Sequence, residues 1–315
     1  MKVRVKRKQR EAKDIISFEL ASLDGSNLPS FTAGSHIDVH VPGGAVRQYS
    51  LCGREETLHS YRIAVLREAA SRGGSMAMHD QVAEGDVLEI SAPRNHFPLV
   101  ELRRTLLFAG GIGVTPLLCM AYRLSSLDAD FEMHYCTRST ERTAFQDEIL
   151  LSPFAHRVHF HFDEDGAAGR LELPPVLANA AAQAEIYVCG PAGFIEHVKS
   201  GARSAGIEDD RIHLEYFAAP SRNAATSGFF EVRIASTGDV YEVPPGRSVA
   251  QVLKDHGIAI ETSCEQGICG ACVTRVLEGK IDHRDHWFTQ EEQARNDRFT
   301  PCCSRARSPY LVLDL

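Results

Sequence analysis

The chain has 315 residues, of which 43% are hydrophobic and 24% charged, with 24 glycines and 14 prolines; this excludes collagen-like, low-complexity and wholly disordered classes. Its net charge of −8 is spread as +1 over residues 1–100, −6 over 101–228 and −3 over 229–315, so no strongly basic segment favours nucleic acid. The longest apolar stretch, Leu106 to Met120, is broken by three glycines, a threonine and a proline and falls short of the ~20 apolar residues that cross a bilayer. The amino-terminal MKVRVKRKQR lacks the apolar run of a secretory signal. The expectation is a soluble, cytoplasmic protein with neither a nucleic-acid nor a membrane partner, built from two domains, or three if one is small.

Residues 1–100 read as short strands joined by turns. The basic run from Lys2 to Lys13 reads as the solvated face of a first strand. His36–Val41 alternates Ile37, Val39 and Val41 with polar residues, Tyr61–Leu66 and Val87–Ile90 look alike, and Pro42-Gly43-Gly44 and Glu84-Gly85-Asp86 mark turns. Short strands at this spacing predict an antiparallel barrel. Within it, Arg47-Gln48-Tyr49-Ser50-Leu51 sets a cation, an aromatic ring and a hydroxyl on one extended segment. The guanidinium suits a phosphate, and the ring suits a flat heterocycle. Arg72-Gly73-Gly74-Ser75 opens a helix and offers a second phosphate donor. A surface arginine beside a core tyrosine is the plainer alternative.

From residue 101 the rhythm changes. Apolar strands at Thr105–Ala109, Phe131–Cys136, Val158–Phe162, Glu185–Cys189 and Ile212–Phe217 alternate with helical stretches, which predicts a parallel sheet covered on both faces. Ala109-Gly110-Gly111-Ile112-Gly113-Val114-Thr115-Pro116 joins the first strand to a helix, with Thr115 suited to the N-cap and Pro116 to the first helical position. Such a turn lets a pyrophosphate reach the helix N-terminus. Pro116 stands where the Rossmann fingerprint has its third glycine, and a tight turn without a ligand is the alternative. Cys189-Gly190-Pro191 ends another strand, and both turns lie at the strand ends where open α/β sheets bind ligands. His159 and His161 alternate on one strand and read as solvated or hydrogen-bonded rather than metal-binding.

Residues 218–228 are small and polar, and 221–228 are assigned as a linker. Beyond it come strands at Phe229–Ala235 and Val240–Val243, a helix near Ser248–His256, a cysteine loop and a last strand at Tyr310–Leu315. His283 and His286 read as solvated or hydrogen-bonded. Asp282, Asp285, Glu291 and Glu292 read as a solvated face, with a docking surface as the sharper alternative.

Nine cysteines, an odd count, argue against a disulfide framework. Cys52, Cys119, Cys136 and Cys189 stand singly, as small buried hydrophobes do. Cys264, Cys269 and Cys272 have C-x4-C-x2-C spacing, and Cys302 follows 30 positions later, the plant-type [2Fe–2S] arrangement. Thiolates supply the soft anionic ligands that ferric ions require, while Gly267 and Gly270 permit close wrapping and positive φ. Zinc modules offer two cysteine knuckles, which this spacing lacks. Either Cys302 or Cys303 could be the fourth ligand. No cysteine has a histidine two residues later, which argues against a Rieske centre in this chain.

The order R-x-Y-S, then G-G-x-G-x-T-P with C-G-P, then C-x4-C-x2-C…C resembles the phthalate dioxygenase reductase family over essentially the whole chain. The resemblance implies a multidomain protein. An antiparallel FMN barrel of the ferredoxin-reductase type occupies residues 1–100. An α/β parallel-sheet NAD(H) domain occupies 101–220, and an α+β β-grasp ferredoxin occupies 229–315. By the same carry-over Arg47, Gln48, Tyr49 and Ser50 bind FMN, and Ala64, Arg67, Gly74 and Ser75 complete that site, Arg67 standing where a lysine is common. Phe217, in Glu215-Tyr216-Phe217, lies against the flavin. Gly111, Gly113, Thr115, Pro116, Cys189, Gly190 and Pro191 line the nicotinamide path. Ser50, Cys189 and Phe217 take the catalytic positions. Cys302-Cys303-Ser304-Arg305-Ala306 matches the family pattern with Cys302 as ligand and Cys303 as packing. Arg138, with Ser139 and Arg142, follows a strand at the adenosine ribose, where a 2′-phosphate could bind, so NADH is expected with NADPH as the alternative. The implied activity passes electrons from NADH to FMN to [2Fe–2S] and on to a Rieske-type aromatic oxygenase or O-demethylase, with a cytochrome or quinone as the alternative acceptor. It requires no acid–base side chain.

Overall fold

The computed structural model describes residues 1–68, 73–101, 103–179, 184–217 and 228–315. Residues up to Phe217 form one compact unit, and those from Gly228 to Leu315 form a second. Arg72 and the linker segment up to residue 227 lie outside the described residues. Among the described residues no helix is long and apolar enough to cross a membrane.

The first unit opens with β1 (Lys2–Ala12), β2 (Ile15–Ser22), β3 (Ser35–His40), β4 (Val46–Ser50) and β5 (Ser60–Leu66). Helix α1 (Gly74–Gln81), β6 (Val87–Ile90) and the short β7 (Arg94–Asn95) follow. The strands pair in the order β4-β3-β6-β1-β2-β5, and a bridge between Leu51 and Ile63 joins the two ends, closing an antiparallel barrel. Alternation drives this closure. In β1, Val3 and Val5 are buried while Lys2, Arg4 and Lys6 are exposed, so the basic run is a solvated strand face.

The chain continues through β8 (Thr105–Gly110), α2 (Val114–Ser126), β9 (Phe131–Thr137), α3 (Gln146–Leu150), β10 (Val158–Phe162), α4 (Leu173–Asn179), β11 (Glu185–Gly190), α5 (Ala192–Ser204) and β12 (Ile212–Tyr216). The five strands are all parallel, in the order β10-β9-β8-β11-β12. Every residue of β8 is buried, as a central strand with both faces covered requires. Its Leu107 and Ala109 join the core shared with α2 and the barrel, whereas Leu106 and Phe108 face the core of α4 and α5. Chain order reverses between β8 and β11, so the crevice beyond their carboxyl ends is the switch point at which open sheets receive ligands.

The sheet and barrel are fastened by polar contacts. Arg62 of β5 makes two 2.7 Å hydrogen bonds to Glu148 of α3. The Tyr187 hydroxyl of β11 accepts from Val100 N at 2.8 Å and donates to Pro98 O at 2.9 Å.

The second unit contains β13 (Phe230–Ile234), β14 (Val240–Val243), α6 (Val249–Asp255), β15 (Thr274–Glu278), β16 (Ile281–Asp282), α7 (Gln290–Arg295), β17 (Arg298–Phe299), β18 (Arg305–Ala306) and β19 (Tyr310–Leu313). Its main sheet has the order β14-β13-β19-β15-β17, with β13 and β19 parallel at its centre. Ser248 caps α6 in a reciprocal box with Gln251, and Val249, Val252 and Leu253 seal the sheet's core. This is the β-grasp arrangement expected for the carboxyl-terminal part.

Candidate functional site

The two glycine turns meet at the switch point. Gly110, Gly113 and Gly190 permit a backbone approach that side chains would block. A Cβ on Gly113 would lie 2.1 Å from Cys189 O, and one on Gly190 would lie 2.9 Å from Gly110 Cα. Gly111 has φ +55 with open space beside it. One expectation is corrected here. Gly111–Gly113 forms a single 3-10 turn, and α2 starts at Val114 with Gly113 at its N-cap. Thr115 and Pro116 therefore sit inside the first helical turn, and the Thr115 hydroxyl donates back to Ile112 O at 3.1 Å.

Three side chains converge beside this turn. Ser50 ends β4, Cys189 lies at the carboxyl end of β11, and Glu215 is its register partner on β12. The Ser50 hydroxyl donates to Glu215 Oε2 at 3.4 Å, and the Cys189 thiol points to the same oxygen at 3.8 Å. Enclosure without a cationic partner pushes the Glu215 carboxyl up to about 8. Burial and that neighbouring carboxylate push the Cys189 thiol well above its ordinary range. Sequence reasoning singled out Phe217, which follows β12 and is exposed, and passed over Glu215. An acid near the carboxyl end of a parallel strand, where such sheets receive ligands, is the signal that finds it.

A second convergence is an anion cradle. A Cβ on Gly74 would lie 2.6 Å from Arg47 Nε, so the guanidinium stem lies across the start of α1. There Gly73 takes φ +92 and no side chain caps the helix. Tyr49 is half-buried against the barrel core, and Ala64 lies within it. Ser75 Oγ accepts from Glu68 N at 3.2 Å. Two expected neighbours are turned elsewhere. Gln48 contacts His36 Nε2 at 3.3 Å, and Arg67 is held by Asp80 of α1 through contacts of 2.5 and 2.8 Å.

At the carboxyl end of β9, Arg138 is exposed and its carbonyl accepts from Glu164 N at 3.0 Å. Ser139 is buried, with an unpartnered hydroxyl. Arg142 is turned away, toward Asp14 Oδ2 at 3.3 Å.

In the second unit, Cys264, Cys269 and Cys272 of the loop after α6 and Cys302 of the segment after β17 stand in two thiol pairs. The hydrogen bond from Cys269 holds the Cys264 thiol down to about 6, helped by the Gln266, Ile268 and Cys269 amides. The Gln266 amide is 3.3 Å from that sulfur. Cys302 holds Cys272 below its usual range in the same way, and its own second contact is Cys303. Each pair thus has one lowered thiol and one raised one, and the backbone amides around the sulfurs are what anionic sulfur ligands need. Gly267 and Gly270 take φ +72 and +69, and Cβ atoms there would strike the Cys303 sulfur and the Trp287 ring, each at 2.3 Å. The loop is thus wrapped as closely as its spacing predicts.

Asp285 corrects the reading of a solvated acidic face. Its side chain is fully buried and accepts from Ser304 Oγ at 3.0 Å and Phe288 N at 2.9 Å, with His283 Nδ1 at 3.0 Å. It ties Ser304, just after Cys302-Cys303, to the segment 283–288, whose His286 amide donates to Gly267 O of the first cysteine loop at 2.9 Å. Glu291 is exposed and Glu292 half-buried in the first turn of α7, where Glu292 accepts from Thr289 N in a capping box. Of the single cysteines, Cys52, Cys119 and Cys189 are buried and Cys136 is half-buried.

Comparison with known proteins gives the family. Residues 232–307 match the 2Fe-2S iron-sulfur cluster binding domain. The vanillate O-demethylase oxidoreductase of Pseudomonas putida is 55% identical over 307 residues, covering 97% of this chain and 96% of that protein. Among solved structures, phthalate dioxygenase reductase, described as a modular structure for electron transfer from pyridine nucleotides to [2Fe-2S], is 36% identical with a TM-score of 0.80, covering 100% of this chain and 98% of that one. An intact type IV self-sufficient cytochrome P450 monooxygenase is 35% identical with a TM-score of 0.84, covering all of this chain and 41% of that one. Similarity of this extent, running from the barrel through the cysteine loop, means that the chain belongs to the oxygenase reductase family of phthalate dioxygenase reductase and vanillate O-demethylase oxidoreductase.

Proposed function

We propose that this chain is the NADH-dependent reductase component of a two-component Rieske-type aromatic oxygenase or O-demethylase. The observation that carries the reading is the near-complete alignment with a vanillate O-demethylase oxidoreductase, joined in one chain to a nucleotide-type crevice and a cluster-binding unit. FMN would supply the conversion of a two-electron donor into single-electron steps, which no side chain can perform.

The residues are assigned as follows. Residues 1–100 hold FMN, with Arg47 and the α1 amides at Gly74 and Ser75 taking the phosphate. Tyr49, Ala64 and Phe217 bracket the ring. Residues 101–220 hold NADH, whose nicotinamide end enters over Gly111, Gly113, Cys189, Gly190 and Pro191, with Thr115 and Pro116 supporting the turn. Ser50 and Cys189 position the reacting rings, and Glu215 holds a proton between them. Arg138 and Ser139 meet the ribose. In the cluster unit each thiol pair takes one iron, Cys264 with Cys269 and Cys272 with Cys302.

Turnover with a purified Rieske-type vanillate demethylase tests this reading. Demethylation that requires NADH, this protein and the oxygenase together is expected. Failure to reduce the oxygenase while the protein reduces other acceptors would overturn it. One observation favours a second acceptor class, a cytochrome: the P450 monooxygenase that contains a segment like this whole chain. Faster electron delivery to a P450 domain than to the oxygenase would select it.

A further inference from the structure

The segment that carries the last cysteines is anchored by a buried cation. Arg305, soon after Cys302 in the chain, is only 5% exposed. Its guanidinium donates to four backbone carbonyls, Arg247 O at 2.6 Å, Gly228 O at 3.1 Å, Pro244 O at 3.2 Å and Val243 O at 3.3 Å. Its Cζ lies 4.9 Å from the centre of the Phe230 ring. These partners belong to the start of the unit, the end of β14 and the turn into α6. The cysteine segment meets the same place, because Ala250 N of α6 donates to Pro301 O at 3.0 Å. Arg305 and the residue before Cys302 therefore both touch the amino-terminal end of α6.

No acid answers this charge. Among the described residues Arg305 forms no ion pair. The charged groups that face it are Arg284, which repels it, and Asp282, which attracts it. Asp282 is already held by Arg284 at 2.8 Å and by Arg307 at 3.5 Å, and the neighbouring Arg247 is paired with Asp255. Burying a cation without an acid is unfavourable, and a guanidinium in a protein does not shed its proton. The four carbonyls offset part of this, whereas a neutral side chain would avoid it altogether. The anions that this unit gathers are the cysteine thiolates. A [2Fe–2S] cluster held by four of them is anionic, since thiolates and sulfides outweigh the two ferric ions, and its potential responds to charge nearby. Reduction converts one ferric ion to ferrous and adds one negative charge, so a fixed cation favours the reduced form. The Cα atoms of Cys302 and Arg305 are at most about 11 Å apart along the chain, a range over which a buried charge is weakly screened.

We propose that Arg305 is the internal counter-charge of the cluster, a positioning residue that holds the Cys302 segment and raises the cluster's reduction potential. The proposal rests on the cluster-binding reading of residues 232–307 and does not depend on which acceptor follows.

The test is a mediated redox titration of the holoprotein at constant pH, with dithionite as the electron source and the reduced cluster read by electron paramagnetic resonance. Arg305→Gln and Arg305→Met remove the charge, and Arg305→Lys keeps it. Both neutral variants are expected to lower the midpoint potential by ~59 mV, a roughly tenfold loss in the one-electron equilibrium, with the resonance line shape unchanged. Arg305→Lys should recover most of that shift. A potential that stays unmoved in an iron-loaded neutral variant, or that falls equally in Arg305→Lys, would overturn the proposal. Loss of iron from both neutral variants would also overturn it and leave Arg305 a structural clasp. Unsubstituted protein that takes up no iron and sulfide would overturn the cluster-binding reading together with it.

Discussion

Glu215 carries the clearest pH prediction of the first unit. In the folded chain it stays protonated up to about pH 8, whereas its ordinary value is 4.5. Its contribution to stability is therefore full below pH 4.5 and lost as the pH rises through about 8. Glu215→Gln is neutral throughout, so its melting temperature relative to the unsubstituted protein climbs across that window. On the proposed assignment, ionisation would also place an anion beside Ser50 and Cys189, where it would oppose a bound flavin's gain of negative charge. Stopped-flow flavin reduction by NADH is expected to slow above about pH 8, with a flat profile in Glu215→Gln; identical profiles would contradict the role. Arg47 has a simpler test. On the proposed assignment, Arg47→Ala removes a charge-assisted phosphate contact worth about 1.5–3 kcal/mol, or roughly 10–100-fold in FMN affinity, read by fluorescence. The R-x-Y-S pattern was legible in the sequence because it is local. Glu215 and Asp285 were not, because each acquires its environment from strands or loops distant along the chain.

Elements are fixed here by close backbone approaches, and the glycines separate two kinds of prediction. Gly113→Ala drives a methyl group against Cys189 O, 2.1 Å away, at a turn that has no flexible partner to yield. A loss of about 1–3 kcal/mol is expected in chemical denaturation. Gly193, inside α5, has nothing within 4 Å, and Gly193→Ala is expected to add about 0.5–1 kcal/mol. Gly270→Ala forces both a positive φ and a collision with Trp287, so iron and sulfide content should fall sharply while the flavin is retained. The strands at His36, Tyr61, Phe131 and Tyr310 were readable from alternation or apolar runs, because burial on one or both faces writes itself into the local pattern. The start of α2 was misread, because a 3-10 turn over Gly111–Gly113 moves the helix boundary ahead of the residues that look like a cap. Composition around Thr115 carries no sign of that.

At the scale of the whole molecule, the division of labour follows from two units with different physics. The first buries apolar surface in two cores around a parallel sheet and leaves a glycine-lined crevice at the switch point. The second closes a small core over which paired thiols and closely wrapped glycines are held. The change of rhythm near residue 101 and the cysteine spacing made this organisation legible. His159 and His161 were legible only as alternation, since the groups they meet, Glu132 and His134, lie on the neighbouring strand β9. The central claim is that NADH reduces the cluster through a flavin bound to the same chain. An anaerobic visible titration with NADH tests it most directly. Loss of the flavin and iron–sulfur bands together, complete at about 1.5 equivalents for two flavin electrons and one cluster electron, is the predicted result. Bleaching of the flavin with persistent oxidised cluster bands would contradict it.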